Sequence, residues 1–461
     1  MTSLTENRSE SWIDVQSDNW KIEDLSRRLC RILAIAKKAV QQLAPAGYTD
    51  VEEPENSVRS EKVVSETAIF LLAASKVTRS PDVLARVNEI AISLIPHERS
   101  AKTMLAIAVE PTLALDYALA HLCLNNLGYR DERLNVLLRQ SIGSQAAMGR
   151  ERLPHRMLEQ QWITELLNAD ETSQNTIANH NSATHLENCA SSAVSVKTVL
   201  DEPMDLLHGS REDIYAFTHA LMYATRFGTA PEQLPRPKNV ILLEAEAALA
   251  RCLDDCDYDL AGELLLAWPL TDGTWSPTAI FAFRVLAQIE DEAGFLPTPN
   301  TRTKRADVLQ GKDRTLYLLA TAYHTAYVMG LLCAATAQTN KAPPKKISIR
   351  DARPGASRLI LEMIDADTQY ASGNSHWRNV LRNMKPVEQD ALADFLLNIA
   401  IRRKIVTREF EDVTKLLKHG EIFGLTDAPA ASQAAELLDR LATFAKVVQA
   451  APNCAYAASG R

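Results

Sequence analysis

The sequence predicts an all-α protein made of packed helical hairpins, with a smaller helical part at the C-terminal end. Hydrophobic residues make up 46% of the 461 residues, whereas aromatic residues make up only 6%. A chain rich in alanine and leucine and poor in β-branched and aromatic runs favours helices over strands. Apolar residues recur at helical spacing in successive segments, and prolines and glycines mark the ends of those segments.

The N-terminal third is expected to form helical hairpins after a disordered start over residues 1–19. Helices are predicted over 21–43, 61–76 and 81–95, the last one opened by Ser80 and Pro81 and closed by Pro96. The segment 111–128 is apolar around most of its circumference, which predicts an interior helix. Its antiparallel partner is expected to end near residue 141, and a further helix to run from Pro154 to about residue 167.

The segment from Ser210 to Gly228 is the most informative helix of the chain. Ser210 with Asp213 is typical of a helix N-cap pair, and Gly228 of a left-handed stop. One face is apolar, and the face opposite carries Glu212, Tyr215, His219, Met222, Tyr223 and Arg226. Because a surface helix usually places lysine and glutamate opposite its apolar face, this stripe predicts a second buried layer or the wall of a cavity.

The rest of the chain divides at a proline-rich segment. Further helices are predicted over 240–253, 257–268, 277–294 and 315–337, then over 356–364, 386–403, 407–417 and 432–450. The domain boundaries expected from these patterns are a main helical domain over 20–340 with a polar loop or insertion at 169–194, a Pro/Lys/Arg-rich linker over 341–355, a C-terminal helical region over 356–450, and a tail over 451–461.

Charge and cysteine usage limit the classes of partner and compartment. The formal net charge is −8 and no basic stripe with interleaved aromatic residues is present, which argues against nucleic acid. Seven cysteines at irregular spacing predict a reducing compartment, and the polar N-terminus lacks the apolar run of a signal peptide. We therefore expect a cytoplasmic protein. The uncharged segment 315–337 is long enough to cross a bilayer, but its alanines, threonines and tyrosines favour a core helix.

Metal-binding patterns are weak in this sequence. Cys252 and Cys256 lie one helical turn apart without a second pair, which favours two structural cysteines. His180, His185 and Cys189 have a spacing that zinc could use, but no fourth ligand is evident. Asp254, Asp255, Asp257 and Asp259 resemble an acidic magnesium cluster and are more typical of a solvated turn. We predict no metal and no cofactor, and the zinc question stays open.

Three predicted interior helices pair a histidine with a tyrosine. His121 accompanies Tyr117, His219 accompanies Tyr215 and Tyr223, and His324 accompanies Tyr327. If these helices face one cavity, they supply a neutral base and phenolic donors, which suffice for proton transfer without a metal. The alternative, which residue statistics favour, is that they are polar core side chains satisfied by one another.

An anion site is a second hypothesis, at the start of the helix that Pro154 opens. Arg152, His155 and Arg156 surround that helix N-terminus, where free N–H groups favour an anion. The alternative is a set of salt bridges with nearby glutamates. The candidate catalytic residues are thus His219, Tyr215, His121 and Tyr223, and the candidate ligand-binding residues are Glu212, Arg226, Tyr117, His155, Arg152, Arg156, His324 and Tyr327.

Three segments, 149–162, 213–228 and 275–295, resemble an uncharacterised all-α family of actinobacterial proteins, some of which accompany natural-product gene clusters. The resemblance spans about residues 100–300. It implies that these segments form one functional unit and carries over no activity.

Three functional hypotheses follow. The first is a binding or accessory protein that holds a small molecule or peptide in a central helical cavity, with a role in natural-product biosynthesis. The second is a metal-independent enzyme that uses a buried His/Tyr acid–base set. The third is a helical scaffold for protein partners.

Overall fold

The computed structural model describes residues 19–144, 150–175, 196–229, 234–338, 340–350, 352–366 and 375–450. The helices up to the centre of the chain are α1 (Ile22–Leu43), α2 (Ser60–Val77), α3 (Pro81–Glu98), α4 (Ala101–Val109), α5 (Ala114–Asn126), α6 (Glu132–Ile142), α7 (Pro154–Asn175) and α8 (Arg211–Ala224). They are followed by α9 (Lys238–Asp254), α10 (Tyr258–Leu265), α11 (Ala267–Leu270), α12 (Pro277–Ala293), α13 (Thr303–Val308) and α14 (Gly311–Thr336). The C-terminal helices are α15 (Ala356–Asp365), α16 (His376–Arg382), α17 (Pro386–Asp390), α18 (Ala393–Val406), α19 (Phe410–Phe423) and α20 (Pro429–Ala450).

The all-α fold class predicted from the sequence is confirmed. Within the described ranges, extended backbone pairs at two isolated bridges, Asn19 with Pro344 and Tyr48 with Val58. Because no ladder of such bridges extends from either one there, helix packing alone builds the core of the described chain.

Several predicted helix boundaries are wrong, among them the end of the helix that Pro154 opens, which continues to Asn175 and not to about residue 167. Helix α3 continues through Pro96 to Glu98, since a proline this close to the end removes a single helical hydrogen bond. Pro269 lies inside α11, in a first turn whose N–H groups have no helical acceptor in any case. The helix predicted over 386–403 is two helices, α17 and α18. The short helices α4, α13 and α16 were not predicted.

Helix α14 is the central element of the core. It packs along α1 and against α2 and α10. Its 26 residues are long and apolar enough to cross a membrane, and 83% of its most apolar window is buried inside the protein, which is also typical of a core helix. A Cβ atom at Gly330 would lie 2.6 Å from the ring of Phe70 and 2.9 Å from Ile32, so a glycine at this position permits the close approach of α14 to α1 and α2.

Helix α8 begins as the sequence predicts, but it ends at Ala224, four residues before the predicted stop at Gly228, because the backbone is already left-handed at Arg226 and Phe227. The Ser210 hydroxyl accepts the backbone N–H of Asp213, and the Asp213 carboxylate accepts the backbone N–H of Ser210. After Ala224 the chain forms a short 3-10 turn and leaves it through Gly228 at φ 76°. Helix α8 packs between α7 and α10, and its two faces are therefore both covered.

The C-terminal helices share a core with the rest of the chain. Helix α18 packs on α9, and the ring of Phe395 meets Phe281 of α12 edge-on at 5.1 Å between centroids. The segment 341–350 lies on the same body: the backbone carbonyls of Lys341 and Lys345 accept hydrogen bonds from Trp275 and Arg284. The buried apolar side chains of both halves form one contiguous cluster.

Candidate functional site

Four ionisable side chains from three helices meet beside α8. We name them the His324 cluster: Glu66 of α2, Asp259 and Glu263 of α10, and His324 of α14. His324 Nδ1 lies 3.1 Å from Glu66 Oε2, and Nε2 lies 3.6 Å from Asp259 Oδ1 and 3.7 Å from Glu263 Oε1. The imidazole is thus enclosed by carboxylates on both of its nitrogen edges.

Local helix geometry accounts for the position of the two α10 carboxylates. Asp259 and Glu263 are four residues apart, so they project from the same face of the helix, toward α14. The Thr218 hydroxyl donates to Glu263 Oε2 at 2.6 Å. Arg211 donates to Asp259 Oδ2 at 3.4 Å while it pairs more closely with Asp257. These neighbours hold one oxygen of each carboxylate and leave the other directed at His324.

The cluster is a recess that solvent reaches from one side. The side chain of His324 is 30% exposed and that of Asp259 is 15% exposed, whereas that of Glu263 is only 2% exposed. Glu263 is therefore the floor of the recess, and His324 lies at its opening.

Burial and mutual charge shift the pKa values within the cluster in different directions. Burial and the neighbouring Glu263 raise the pKa of Asp259 to about 6, although His324 opposes the shift. Burial would also raise the pKa of Glu66, but the adjacent His324 lowers it to about 2. Burial alone would lower the pKa of His324, and the carboxylates of Glu66 and Asp259 outweigh it and raise this pKa well above its ordinary value. The cluster thus carries negative charge that is partly offset by its imidazole.

His219 of α8 joins the cluster from its other side. Its Nδ1 is 3.0 Å from the Tyr215 carbonyl oxygen and 3.6 Å from Glu263 Oε2. The rings of Tyr215 and His219 lie at a tilt of 31° with centroids 3.7 Å apart. Burial lowers the pKa of His219, which favours the neutral imidazole, even though Glu263 opposes the shift.

A group of rings and charges extends from His219 toward α7. The ring of His155 meets Tyr215 and His219 at 5.7 and 6.1 Å between centroids, and burial next to Arg156 lowers the pKa of His155 to about 4. Arg156 donates to Glu159 Oε2 at 2.7 Å. The buried Tyr223 hydroxyl donates to the other Glu159 oxygen at 2.7 Å. These groups form the α7 side of the recess.

Two of the three predicted histidine–tyrosine helices converge. His219 and His324 both lie within 3.7 Å of Glu263. His121 does not reach this position: it is fully buried between α5 and α6, where its Nε2 is 2.8 Å from Asn135 Oδ1. That contact matches the alternative of a satisfied core histidine.

Several other predicted site residues lie away from the recess. Tyr117 donates to Glu110, and Arg152 pairs with Asp116 at 2.9 Å. Tyr327 is buried, with its ring stacked on Phe70 and its hydroxyl 2.9 Å from that of Thr67. Glu212 is exposed, and the exposed Arg226 pairs with Glu165. Of the predicted anion site, Arg152 and Arg156 are both engaged by carboxylates, as the salt-bridge alternative expects.

The residues of the three metal-binding patterns in the sequence have different surroundings in the structure. Asp254 and Asp255 pair with Arg403 and Arg402, and Asp257 pairs with Arg211, so only Asp259 of the acidic run belongs to the His324 cluster. Cys252 is buried, Cys256 is half-buried, and both are free thiols. His180, His185 and Cys189 lie outside the described residues.

The sequence pattern does not identify the carboxylates of the cluster as one set. It singles out neither Glu66 nor Glu263, and it groups Asp259 only with the aspartates beside it in the sequence. One oxygen of Asp259, one of Glu263 and one nitrogen of His324 lie within 4.8 Å of one another, which makes these three side chains able to hold a metal ion. The available signal was the four-residue spacing of Asp259 and Glu263 on a mostly apolar helix.

A family model matches most of this chain. Residues 29–334 match the family model described as domain of unknown function DUF6895, and this range contains every residue of the His324 cluster as well as His219. The searches of curated proteins and of solved structures return no match. Because the family model covers more than half of the chain, this protein belongs to the DUF6895 family of uncharacterised function.

Proposed function

We propose that this protein binds a small cation at the His324 cluster. The observation that carries the proposal is the arrangement of three carboxylates from two helices around one partly exposed imidazole. Charged side chains are buried at a high cost in free energy unless an opposite charge lies beside them. A cation in the recess supplies that opposite charge.

The charges around the recess favour a cation over an anion. Glu66, Asp259 and Glu263 contribute three carboxylates. Two cationic side chains lie at the edge of the cluster: Lys62, which is 54% exposed and therefore screened by water, lies 3.6 Å from Glu66 Oε1, and Arg211 lies closer to Asp257 than to Asp259. An anion in the recess would meet these carboxylates at short range and be repelled.

The other cavity of the described chain is too small for a ligand. In the described chain the helices also enclose a cavity of about 10 Å³ lined by apolar residues, among them Ala73, Phe227 and Leu331, which is room for no more than about one water molecule. The partly exposed His324 cluster is the better candidate, since a ligand reaches it from the surface and meets charged groups at once.

Two further parts of the binding-protein hypothesis are also proposals. They are a cytoplasmic location and a role as a binding or accessory protein in natural-product biosynthesis. A metal-independent enzyme with His219 as base and Tyr215 beside it is the second candidate, favoured by the 3.7 Å distance between their ring centroids.

Calorimetric titration of the full chain tests the proposal. The ligands are divalent metal ions, diamines such as putrescine, and choline, with acetate and phosphate as anions for comparison. We expect saturable binding of at least one cation and none of the anions. Glu263→Gln should weaken that binding at least about tenfold, because it removes one buried charge from the ligand's surroundings.

A matched variant separates this effect from a general effect of removing buried carboxylates. Glu98 of α3 is 4% exposed and lies outside the cluster, so Glu98→Gln should leave cation binding unchanged. Absence of binding by every cation in the set, or equal weakening by both variants, would overturn the proposal.

A further inference from the structure

We propose that Asp259, Glu263 and His324 form a binding site for one divalent first-row transition-metal ion. This inference deepens the proposed function, on which it rests, by naming the class of cation. Helix α10 supplies two carboxylate oxygens and α14 supplies one imidazole nitrogen, so the site joins two helices that pack together in the core.

The donor atoms stand near the spacing that a metal ion requires. Bonds of about 2.1 Å place neighbouring ligand atoms about 3.0 to 3.5 Å apart in octahedral or tetrahedral geometry. His324 Nε2 lies 3.6 Å from Asp259 Oδ1 and 3.7 Å from Glu263 Oε1. The oxygens of Asp259 and Glu263 lie within 4.8 Å of one another, so rotation about the side-chain torsions brings all three donors onto one ion.

Glu263 presents a buried oxygen toward this position. Its side chain is 2% exposed, and its Oε2 accepts the hydrogen bond of Thr218. The other oxygen, Oε1, lies 3.7 Å from Nε2 of His324, which is longer than a hydrogen bond. A metal ion between Oε1 and Nε2 would take both atoms as ligands while Oε2 keeps its hydrogen bond from Thr218.

Glu66 provides a second observation that points to a metal. Histidine ligands of metals usually direct their other ring nitrogen at a carboxylate, which fixes the ring orientation and raises its basicity. His324 Nδ1 lies 3.1 Å from Glu66 Oε2 on the side of the ring away from Asp259 and Glu263. His324 thus has a carboxylate at one ring nitrogen and, at the other, a position between two further carboxylates where an ion could bind. Histidine-bound metals are usually surrounded in this way.

The donor set selects the kind of metal. Magnesium and calcium prefer oxygen ligands alone, whereas an imidazole with carboxylates suits zinc, manganese or iron in the divalent state. Three protein ligands leave at least one coordination position for water or a small molecule, and the partial exposure of His324 and Asp259 lets solvent reach these side chains.

Metal titration of chelator-treated full-length protein tests the inference. Zn²⁺ and Co²⁺ are titrated by calorimetry, Co²⁺ is also followed by its visible absorption bands, and Mg²⁺ is the comparison ion. We expect one Zn²⁺ per chain, Co²⁺ bands of a site with nitrogen and oxygen ligands, and much weaker binding of Mg²⁺. His324→Gln and Asp259→Asn should each weaken Zn²⁺ binding by more than about 100-fold.

A surface histidine provides the control. The side chain of His376 is 43% exposed and its Nδ1 lies 4.0 Å from Glu292, so His376→Gln removes a histidine beside a carboxylate without touching the cluster. Its Zn²⁺ affinity should equal that of the wild type. Circular dichroism establishes whether each variant is folded. If His324→Gln does not fold, Asp259→Asn provides the test of the site.

The outcomes separate this inference from the proposed function. If putrescine or choline binds and is lost in Glu263→Gln while Zn²⁺ and Co²⁺ do not bind, the metal inference is overturned and the proposed function stands. If Zn²⁺ binds equally to the wild type, His324→Gln and Asp259→Asn, the metal lies elsewhere and the inference is overturned. If no cation of either kind binds, both are overturned.

Discussion

The imidazole of His324 on α14 lies 3.1 Å from the carboxylate of Glu66 on α2. This contact connects the central core helix to the first helical hairpin. Because the Glu66 carboxylate faces Nδ1, it directs Nε2 toward α10. The two nitrogens of His324 thus face carboxylates on two different helices.

Loss of the Glu66 charge should weaken metal binding without removing the site. In Glu66→Gln the side chain keeps its size, but the imidazole loses the carboxylate that orients it and raises its basicity. Loss of such an outer partner lowers metal affinity by about 10- to 100-fold. Calorimetric titration with Zn²⁺ should show this loss at an unchanged stoichiometry of one.

Glu61 is the control for that prediction, since it lies on the same helix, is exposed and pairs with Lys102 of α4. Glu61→Gln should bind Zn²⁺ as the wild type does. Equal affinities of Glu66→Gln and the wild type would contradict the orienting role.

A buried ion pair should contribute to the attachment of the C-terminal helices. Arg403 of α18 and Asp254 at the end of α9 lie 2.6 Å apart, with side chains 4% and 2% exposed. Asp254→Asn leaves the guanidinium buried without its carboxylate, which costs about 3–5 kcal/mol of unfolding free energy. Urea denaturation followed by circular dichroism measures that loss.

The adjacent pair is a matched comparison. Asp255 pairs with Arg402 at 2.8 Å, and its side chain is 38% exposed. Asp255→Asn should change the unfolding free energy by no more than about 1 kcal/mol, because water screens an exposed pair. Similar losses in the two variants would show that burial does not set the contribution of Asp254.

Glu98 should make the stability of the protein fall as pH rises. Burial raises its pKa from 4.5 to about 8. Between these two pKa values the folded chain holds a proton that the unfolded chain has released. The contribution of protonated Glu98 to the unfolding free energy is therefore fully present below pH 4.5 and is lost as pH rises to 8. The glutamine in Glu98→Gln does not ionise.

The unfolding free energy of Glu98→Gln should therefore equal that of the wild type near pH 4.5 and exceed it near pH 8, by an amount on the order of 4 kcal/mol at most. Urea denaturation at a series of pH values measures the difference. Glu89→Gln, at an exposed position of the same helix, should show no comparable growth with pH. A constant difference across the series for Glu98→Gln would contradict the prediction.

The helices were largely predictable because their signals are local. The N-cap pair of Ser210 and Asp213 and the apolar circumference of α5 both act within a few residues of chain. The break between α17 and α18 was not predictable in this way, since the helical pattern of apolar residues continues across it.

The candidate site was predictable only in part. His219 and His324 are conspicuous because an imidazole in an apolar helix needs a polar partner. Their partners were not identified, because Glu66 and Glu263 are ordinary in sequence and acquire their position from the packing of α2 and α10 on α14. His121 has the same local pattern as His219, and only the tertiary contact with Asn135 distinguishes it.

The contact of α14 with α2 gives a prediction about packing. A Cβ atom at Gly330 would lie 2.6 Å from the Phe70 ring, and a ring held between helices cannot turn aside at low cost. Gly330→Ala should therefore lower the unfolding free energy by about 1–3 kcal/mol, although alanine favours the helix. Gly420 of α19 is the control: its Cβ would meet Leu397 at 3.5 Å, an ordinary contact, so Gly420→Ala should be neutral or stabilising. Thermal denaturation of both variants measures the difference, and equal melting temperatures would contradict the close packing of α14 on α2.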